Sequence, residues 1–390
     1  NDPGEISHLQ ALTTALSATV GVSNIGGVAI AITQGGPGAV FWMWVAALVG
    51  MATKFFTCTL ACMYRKEDEE GVPQGGPMYY IELGLGPRFR PLAVFFSVCG
   101  LVGCLAMLQP NQLALVLREN YGINPWATGI ASAAIVAAVI LGGIQRIARF
   151  SESLIPTMCG AYILACLYIL STQISLIPQV FMQIVHDAFT GTAVVGGATG
   201  IAVSRVIATG VKRAAFSNEA GVGTAPLAHG AAKTDEPVRE GLVAMLGPFI
   251  DTILVCSMTA FVILTSGIKT ENEMEGVVLT SRVFESAMGP FGKLLLSFIV
   301  ASFAISTMVG YSYYGRKCFS YLVGQRRGHY YNYFFIVTLV AGAVWNVETV
   351  INILDTSFAL MALPNMIATL LLAPHVVRAT RAYFDRQRIV

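Results

Sequence analysis

Charge is what this sequence has least of. Only 12% of its 390 residues are Asp, Glu, Lys or Arg, whereas 55% are hydrophobic and the mean hydropathy is +0.66. A soluble domain carries roughly 25% charged residues, and a soluble chain with half that would expose apolar patches large enough to aggregate. The chain therefore belongs in a bilayer. Basic runs with interleaved aromatics are missing and the net charge is only +2, so no nucleic-acid partner is expected. No CxxC pair occurs among the eight cysteines, which lie mostly in apolar runs where a thiol acts as a small hydrophobe. The five histidines are scattered, and a zinc site needs several ligands in spaced pairs. No P-loop, HExxH, Ser/His/Asp set or pair of catalytic carboxylates is present, so neither an enzyme, nor an ATP-driven pump, nor a bound cofactor is expected. The chain starts at Asn1 without a Met or a charged-then-apolar leader, so no signal peptide is read and the natural start is expected upstream.

What is present is apolar length. A hydrocarbon core of about 30 Å needs roughly 20 apolar residues per helix, and ten runs approach this: 9–32, 39–63, 91–117, 123–144, 154–171, 180–209, 240–266, 290–315, 331–346 and 349–374, here spans one to ten. Cytoplasmic loops collect Lys and Arg. Of 24 basic residues, 19 fall after the even-numbered spans, from Arg65 and Lys66 through Arg205, Lys212 and Arg213 to Arg386 and Arg388, and four (Arg118, Lys269, Arg282, Lys293) fall on the opposite side. A multi-pass plasma-membrane protein with both ends cytoplasmic is expected. The acidic run Glu67–Glu70 reads as a solvated face.

Irregular backbone survives in a membrane only where it lines a cavity, so glycine clusters inside apolar runs carry weight. Span one holds Gly21-Val22-Ser23-Asn24-Ile25-Gly26-Gly27 and span six holds Gly196-Gly197-Ala198-Thr199-Gly200, 175 residues further on. Either cluster alone also fits close helix packing through small residues. Together they fit two copies of a five-helix unit, roughly 9–171 and 180–374, within a single transport domain 1–390. Interrupted segments at matching places in two halves point to a secondary transporter's binding site. Half-helix N-termini attract a carboxylate, and freed carbonyls suit a hard cation.

At these segments the sequence resembles the alanine or glycine:cation symporter family, the sodium:alanine symporters. The matching stretches are Gly35-Gly36-Pro37-Gly38-Ala39-Val40-Phe41-Trp42-Met43-Trp44, Gly50-Met51-Ala52-Thr53-Lys54-Phe55, Gly75-Gly76-Pro77-Met78-Tyr79-Tyr80-Ile81, and Phe216-Ser217-Asn218-Glu219-Ala220-Gly221-Val222-Gly223 with Ala225-Pro226-Leu227-Ala228-His229. Further matches are Gly247-Pro248-Phe249-Ile250-Asp251-Thr252, Tyr313-Tyr314-Gly315 and Met361-Ala362-Leu363-Pro364-Asn365. The resemblance covers nearly the whole chain. It implies an all-α, LeuT-type fold of two inverted five-helix repeats with helices one and six broken, and sodium-coupled uptake of a small neutral amino acid.

Carried over residue by residue, the resemblance implies that the amides of Gly21, Val22 and Ser23 hold the substrate carboxylate with Asn24 close by. Members read Gly-Thr-Gly-Asn where this chain has Gly21-Val22-Ser23-Asn24. Gln109 matches a substrate-contacting glutamine, followed here by Pro110 where members have alanine. Gly196, Gly197 and Ala198 would form the opposite wall; Ala198 replaces a phenylalanine, so a side chain larger than alanine's, such as glutamine's, is expected to fit. Ser306 and Thr307, with carbonyls near Ser17 and Val20, would hold sodium, although both hydroxyls could instead bond their own helix. Tyr311 stands where members have tryptophan. Asp251, Asp355 and Glu219 are gating or coupling candidates, since buried charge in lipid needs a reason. Proton coupling is the alternative within the transporter class; a cation channel would need a ring of filter oxygens.

Overall fold

The computed structural model describes residues 4–68, 71–190, 199–268 and 276–388. Among the described residues six helices are long and apolar enough to cross a membrane: Gly38–Met63, Pro87–Tyr121, Gly143–Ser171, Pro237–Thr265, Val277–Val323 and Val347–Gln387. The pair His8–Thr19 and Ser23–Gly35, bent by 54° at the expected place, makes a seventh. Spans four and nine are covered by the shorter Pro125–Ile140 and Tyr330–Val344. Among the described residues the only sheet is a hairpin on the loop after span two, Lys66–Glu67 with Pro73–Gln74.

Local sequence explains most helix ends. Ser7 and Gln10 form a reciprocal capping box at the start of span one, each satisfying the other's backbone N–H. Gly122 ends span three in the left-handed conformation, and Asn124 caps span four with Pro125 in its first turn. Interruptions inside the spans outnumber those expected. Span three breaks between Gly103 and Leu108, where Ala106 has φ +52°. Span seven carries a π-helical stretch, Phe249–Cys256, and span one has another, Ser23–Gly27. Span eight is bent at Gly289 (φ +65°) before Pro290 and runs back to Val277, thirteen residues ahead of its expected start.

Span six is described in two pieces. The run 180–209 is covered by two helices, Ile177–Thr190 and Thr199–Asn218, on either side of residues 191–198, so the expected break at Gly196, Gly197 and Ala198 lies outside the described residues. In the first helix only Val180, Ile184 and Ala188 are buried, a single stripe, and it lies across the start of span two, where Trp42 Nε1 donates to the Ala188 carbonyl at 3.0 Å. The second helix continues nine residues past the expected end and then breaks. Glu219 (φ +54°), Gly221 (φ +89°) and Gly223 (φ +100°) reverse the backbone before the short helix Ala225–His229. Arg205, Lys212 and Arg213 thus sit within a helix rather than in a cytoplasmic loop. The remaining basic residues still favour the same side.

On the basic side the chain start is fastened to the segment after that break. Ile6 pairs with Ala232 in a parallel bridge, and the Lys233 N–H donates to the Ile6 carbonyl at 2.7 Å. The buried carboxylate of Glu240 receives both His8 and His229, the latter at 2.5 Å. Histidines that look scattered along 221 residues of sequence meet at one acid.

Candidate functional site

The break in span one is held by a buried polar knot. The Gly21 N–H donates to Asn24 Oδ1 at 2.8 Å, and Asn24 Nδ2 donates to Asp251 Oδ1 at 2.6 Å and to the Asp251 carbonyl at 3.1 Å. Asp251 Oδ2 accepts from Ser217 Oγ and Thr252 Oγ1, both at 2.7 Å. Asn24 and Asp251 are each fully buried and lie in the two π-helical stretches, which face each other. A π-turn adds a residue to the helical turn and re-aims the side chains on it. Of the amides expected to cradle a carboxylate, Gly21's is therefore engaged within the chain, while Val22 and Ser23 line a cavity.

Beside the same break, spans one and eight approach without intervening side chains. A Cβ on Gly21 would collide with Thr307 Oγ1, and one on Gly310 would lie 2.6 Å from Ser17 Oγ. Ser306 Oγ and Thr307 Oγ1 are buried and accept or donate no hydrogen bond. The alternative that they bond their own helix is not what the structure has. Ser17 Oγ donates to the Thr14 carbonyl at 2.7 Å, leaving its lone pairs outward, and Val20 leaves the helix with ψ +99°. Unpartnered buried oxygens cost about 1–3 kcal/mol each, a cost that a hard cation would remove.

A cavity of about 810 Å³ lies on the other side of the break. Val22, Ser23 and Gly26 of span one, Ala106 and Gln109 at the break in span three, Phe216 before the break at Glu219, Tyr311 of span eight and Phe358 of span ten all line it. Its mouth carries Glu119, Arg282 and Glu348, exposed residues on the side with few basic loops. Gln109 is buried and its Oε1 has no hydrogen-bond partner. Gln34, Gln112 and Asn352 add three more amides to the wall.

Aromatic rings close the deep end. Phe216 stacks on Phe358 (5.7 Å between centroids, 16°), and Phe358 stacks on Tyr311 (6.3 Å, 8°). The Tyr311 hydroxyl donates to Glu219 Oε1 and Thr224 Oγ1 donates to Glu219 Oε2, so the acid sits behind the rings, away from the cavity. Left-handed backbone at a side-chain-bearing residue costs about 1–3 kcal/mol, and these two bonds help offset it at Glu219. Lys54 in span two is only 2% exposed. Asp355 lines the cavity but is paired with Lys212 at 2.9 Å.

Reasoning from sequence placed Phe216, Ser217 and Asn218 in a matching stretch but not at the site, while the expected break at Gly196, Gly197 and Ala198 lies outside the described residues. The missed signal was Gly221 and Gly223 directly after Ser217-Asn218-Glu219. The segments that carry the family resemblance converge there. Asn365 Nδ2 donates to the Gly221 carbonyl at 2.7 Å, and Asn365 Oδ1 accepts from the Tyr80 hydroxyl. A Cβ on Gly223 would strike Phe96 and Pro77, and one on Gly50 would strike Ala220.

Helices interrupted mid-membrane around a cavity with unpartnered amide and hydroxyl oxygens define a secondary transporter of the LeuT type. Solved structures share the fold. MhsT in complex with L-phenylalanine superposes with TM-score 0.68 over 95% of this chain and 90% of its own at 13% identity. A sodium-coupled sialic acid symporter in an outward-open state gives 0.64 over 95% and 90% at 11% identity. The family model of the sodium:alanine symporter family matches residues 1–389, and the chain belongs to that family. The sodium/alanine symporter AgcS of Methanococcus maripaludis is 44% identical over 97% of this chain and 84% of its own length. A probable sodium/glutamine symporter of Bacillus subtilis, GlnT, is 35% identical over 98% and 80%. The chain is thus a sodium-coupled symporter of small amino acids, a transporter and not an enzyme.

Proposed function

We propose that the protein imports a small neutral amino acid with sodium across the plasma membrane by alternating access, with its cavity facing outward and its chain ends cytoplasmic. Three unpartnered buried oxygens on the two sides of one helix break carry this reading: Gln109 Oε1 at the cavity and Ser306 Oγ and Thr307 Oγ1 behind it. The amides of Val22 and Ser23 receive the substrate carboxylate, and Gln109 Oε1 accepts from its ammonium. Phe216, Tyr311 and Phe358 bound the side chain. Ser306, Thr307, Ser17 and the carbonyls released up to Val20 hold sodium. Asn24 shapes the site through Gly21 rather than touching the amino acid.

The chain forms one transport domain of two inverted halves, the second opening with Thr199–Asn218 and its break at Glu219 matching that at Gly21. Alanine and glycine are the expected substrates. Glutamine joins them on the amides of Gln34, Gln112 and Asn352, since the Ala198 argument falls outside the described residues. The test is uptake into proteoliposomes under an imposed sodium gradient with a panel of neutral amino acids. Sodium-driven alanine uptake competed by glycine and glutamine is expected. Uptake indifferent to sodium and driven by a pH gradient would overturn the coupling, and competition by glycine alone would remove glutamine.

A further inference from the structure

Four exposed arginines stand at the basic-side ends of two helices that pack along each other. Span ten presents a continuous apolar stripe of Leu360, Leu363, Ile367, Leu370 and Leu371, all exposed and at helical spacing. The same stripe runs on through Pro374 to Arg378 and Arg381, which are also exposed. Span three has a matching stripe of Val94, Phe95, Val98 and Val102, which begins at the exposed Arg90 with Arg88 in the turn before it. A Cβ on Gly103 would meet Phe358 and Met361, and one on Gly84 would meet Leu372. Thirteen residues, about 20 Å of helix, lead from the contact at Gly103 to Arg90 on span three and to residues 371–374 on span ten. The Arg378 side chain reaches back to that level, its Nε donating to the Pro374 carbonyl at 3.4 Å.

What these arginines meet sets them apart from their neighbour. Arg386, off the stripe, donates from Nη2 to both oxygens of Glu236 at 2.7 and 2.8 Å. Among the described residues Arg88, Arg378 and Arg381 meet no acid. Arg90 Nε lies 3.9 Å from Glu82 Oε1, and Glu82 Oε2 accepts from the Tyr321 hydroxyl at 2.5 Å. Asp385 is one turn beyond Arg381, farther from the apolar stripe. A guanidinium offers a fixed fork of donors that matches a phosphate, and basic groups at the edge of the hydrocarbon attract anionic headgroups. We propose that Arg88, Arg90, Arg378 and Arg381 form a site for the headgroup phosphate of an anionic phospholipid whose acyl chains lie along the two apolar stripes. The stripes favour a lipid over a free anion, because only a lipid covers the charged and the apolar part together. A lipid held there ties span three, which carries Gln109, to span ten, which carries Phe358.

The experiment takes the whole purified protein in mixed micelles of detergent and zwitterionic phosphatidylcholine and reads thermal denaturation against the mole fraction of added phosphatidylglycerol. The unaltered protein is compared with Arg88→Gln/Arg378→Gln and with Arg146→Gln/Arg149→Gln, which removes as much charge from exposed positions at the start of the helix Gly143–Ser171. Phosphatidylglycerol is expected to stabilise the unaltered protein. Arg88→Gln/Arg378→Gln should need about tenfold more of it for half the effect, and Arg146→Gln/Arg149→Gln less than about twofold more. No stabilisation of the unaltered protein, or no shift in Arg88→Gln/Arg378→Gln, would overturn the proposal. Equal shifts in both double variants would trace the response to net charge and remove the site. Inorganic phosphate is added in a separate arm. If it stabilises the unaltered protein as well as phosphatidylglycerol does, and Arg88→Gln/Arg378→Gln abolishes that effect, the arginines hold a free anion and the lipid assignment fails. Should Arg88→Gln/Arg378→Gln not yield folded protein, Arg378→Gln and Arg381→Gln are read singly. Each is then expected to need about threefold more phosphatidylglycerol, and no shift in either would sink the proposal.

Discussion

Buried oxygens without partners are the residues on which function turns. A chain pays for an unsatisfied acceptor only where something else supplies the missing contact, and here Gln109 Oε1, Ser306 Oγ and Thr307 Oγ1 flank one broken helix. Gln109→Leu removes the acceptor at nearly constant shape. The expected result is a rise of about tenfold or more in the amino-acid KM, with stabilisation by sodium alone unchanged, as read from uptake kinetics and thermal denaturation. Equal loss of both would show that Gln109 serves folding. The residue identities were legible in the sequence through the family resemblance. Which of them carry spare hydrogen-bonding capacity was not, because that depends on what else is packed within reach. Asn24 shows the difference: it stands in the binding motif, yet both ends of its amide are consumed by Gly21 and Asp251.

Elements meeting at the aromatic end of the cavity form what the proposed orientation makes its inner closure. The stack of Phe216, Phe358 and Tyr311 unites spans six, ten and eight, and the Tyr311 hydroxyl ties it to Glu219 at the second break. Tyr311→Phe keeps the ring and removes the tie, so the closed floor should open more often. A cysteine reporter placed below the rings is expected to react faster with a cytoplasmic thiol reagent in this variant, and an unchanged rate would mean that the stack suffices alone. A second closure lies at the membrane face, where His8 and His229 share Glu240. His229 is 1% exposed and Glu240 is fully buried, so His229→Ala leaves an acceptor without water. It should cost about 1–3 kcal/mol of stability. His8→Ala should cost less, because the side chain of His8 is 32% exposed and water can replace it. Thermal denaturation of the two variants orders them, and equal losses would contradict this account. Capping at Ser7 and Asn124 was readable because capping is local. Neither closure was, since each needs a contact across more than ninety positions, Tyr311 to Glu219 in one and His8 to Glu240 in the other.

At the scale of the whole molecule the basic loops carry the orientation proposed above, and the helix interruptions border the cavity. The cavity mouth at Glu119, Arg282 and Glu348 lies opposite the loops rich in Lys and Arg. A single reporter cysteine at Glu348 should label in intact cells, and one at Arg381 only after permeabilisation; the reverse pattern would invert the topology. The eight native cysteines are all buried and should give little background.

The sequence alone determined the solvent, the approximate spans and the break at Gly21. Apolar length, basic loops and a glycine–hydroxyl–amide cluster are contiguous signals that need no distant partner. Tertiary structure alone showed the break at Glu219–Gly223; the glycines at 196 and 197 lie outside the described residues. A glycine-rich stretch only permits unwinding; the partners that satisfy the freed backbone decide where it happens. For the second break those partners include Asn365, Thr224 and Tyr311, and for the first they include Asp251, Ser217 and Thr259. Most are far away in sequence and meet the breaks only when the bundle is packed.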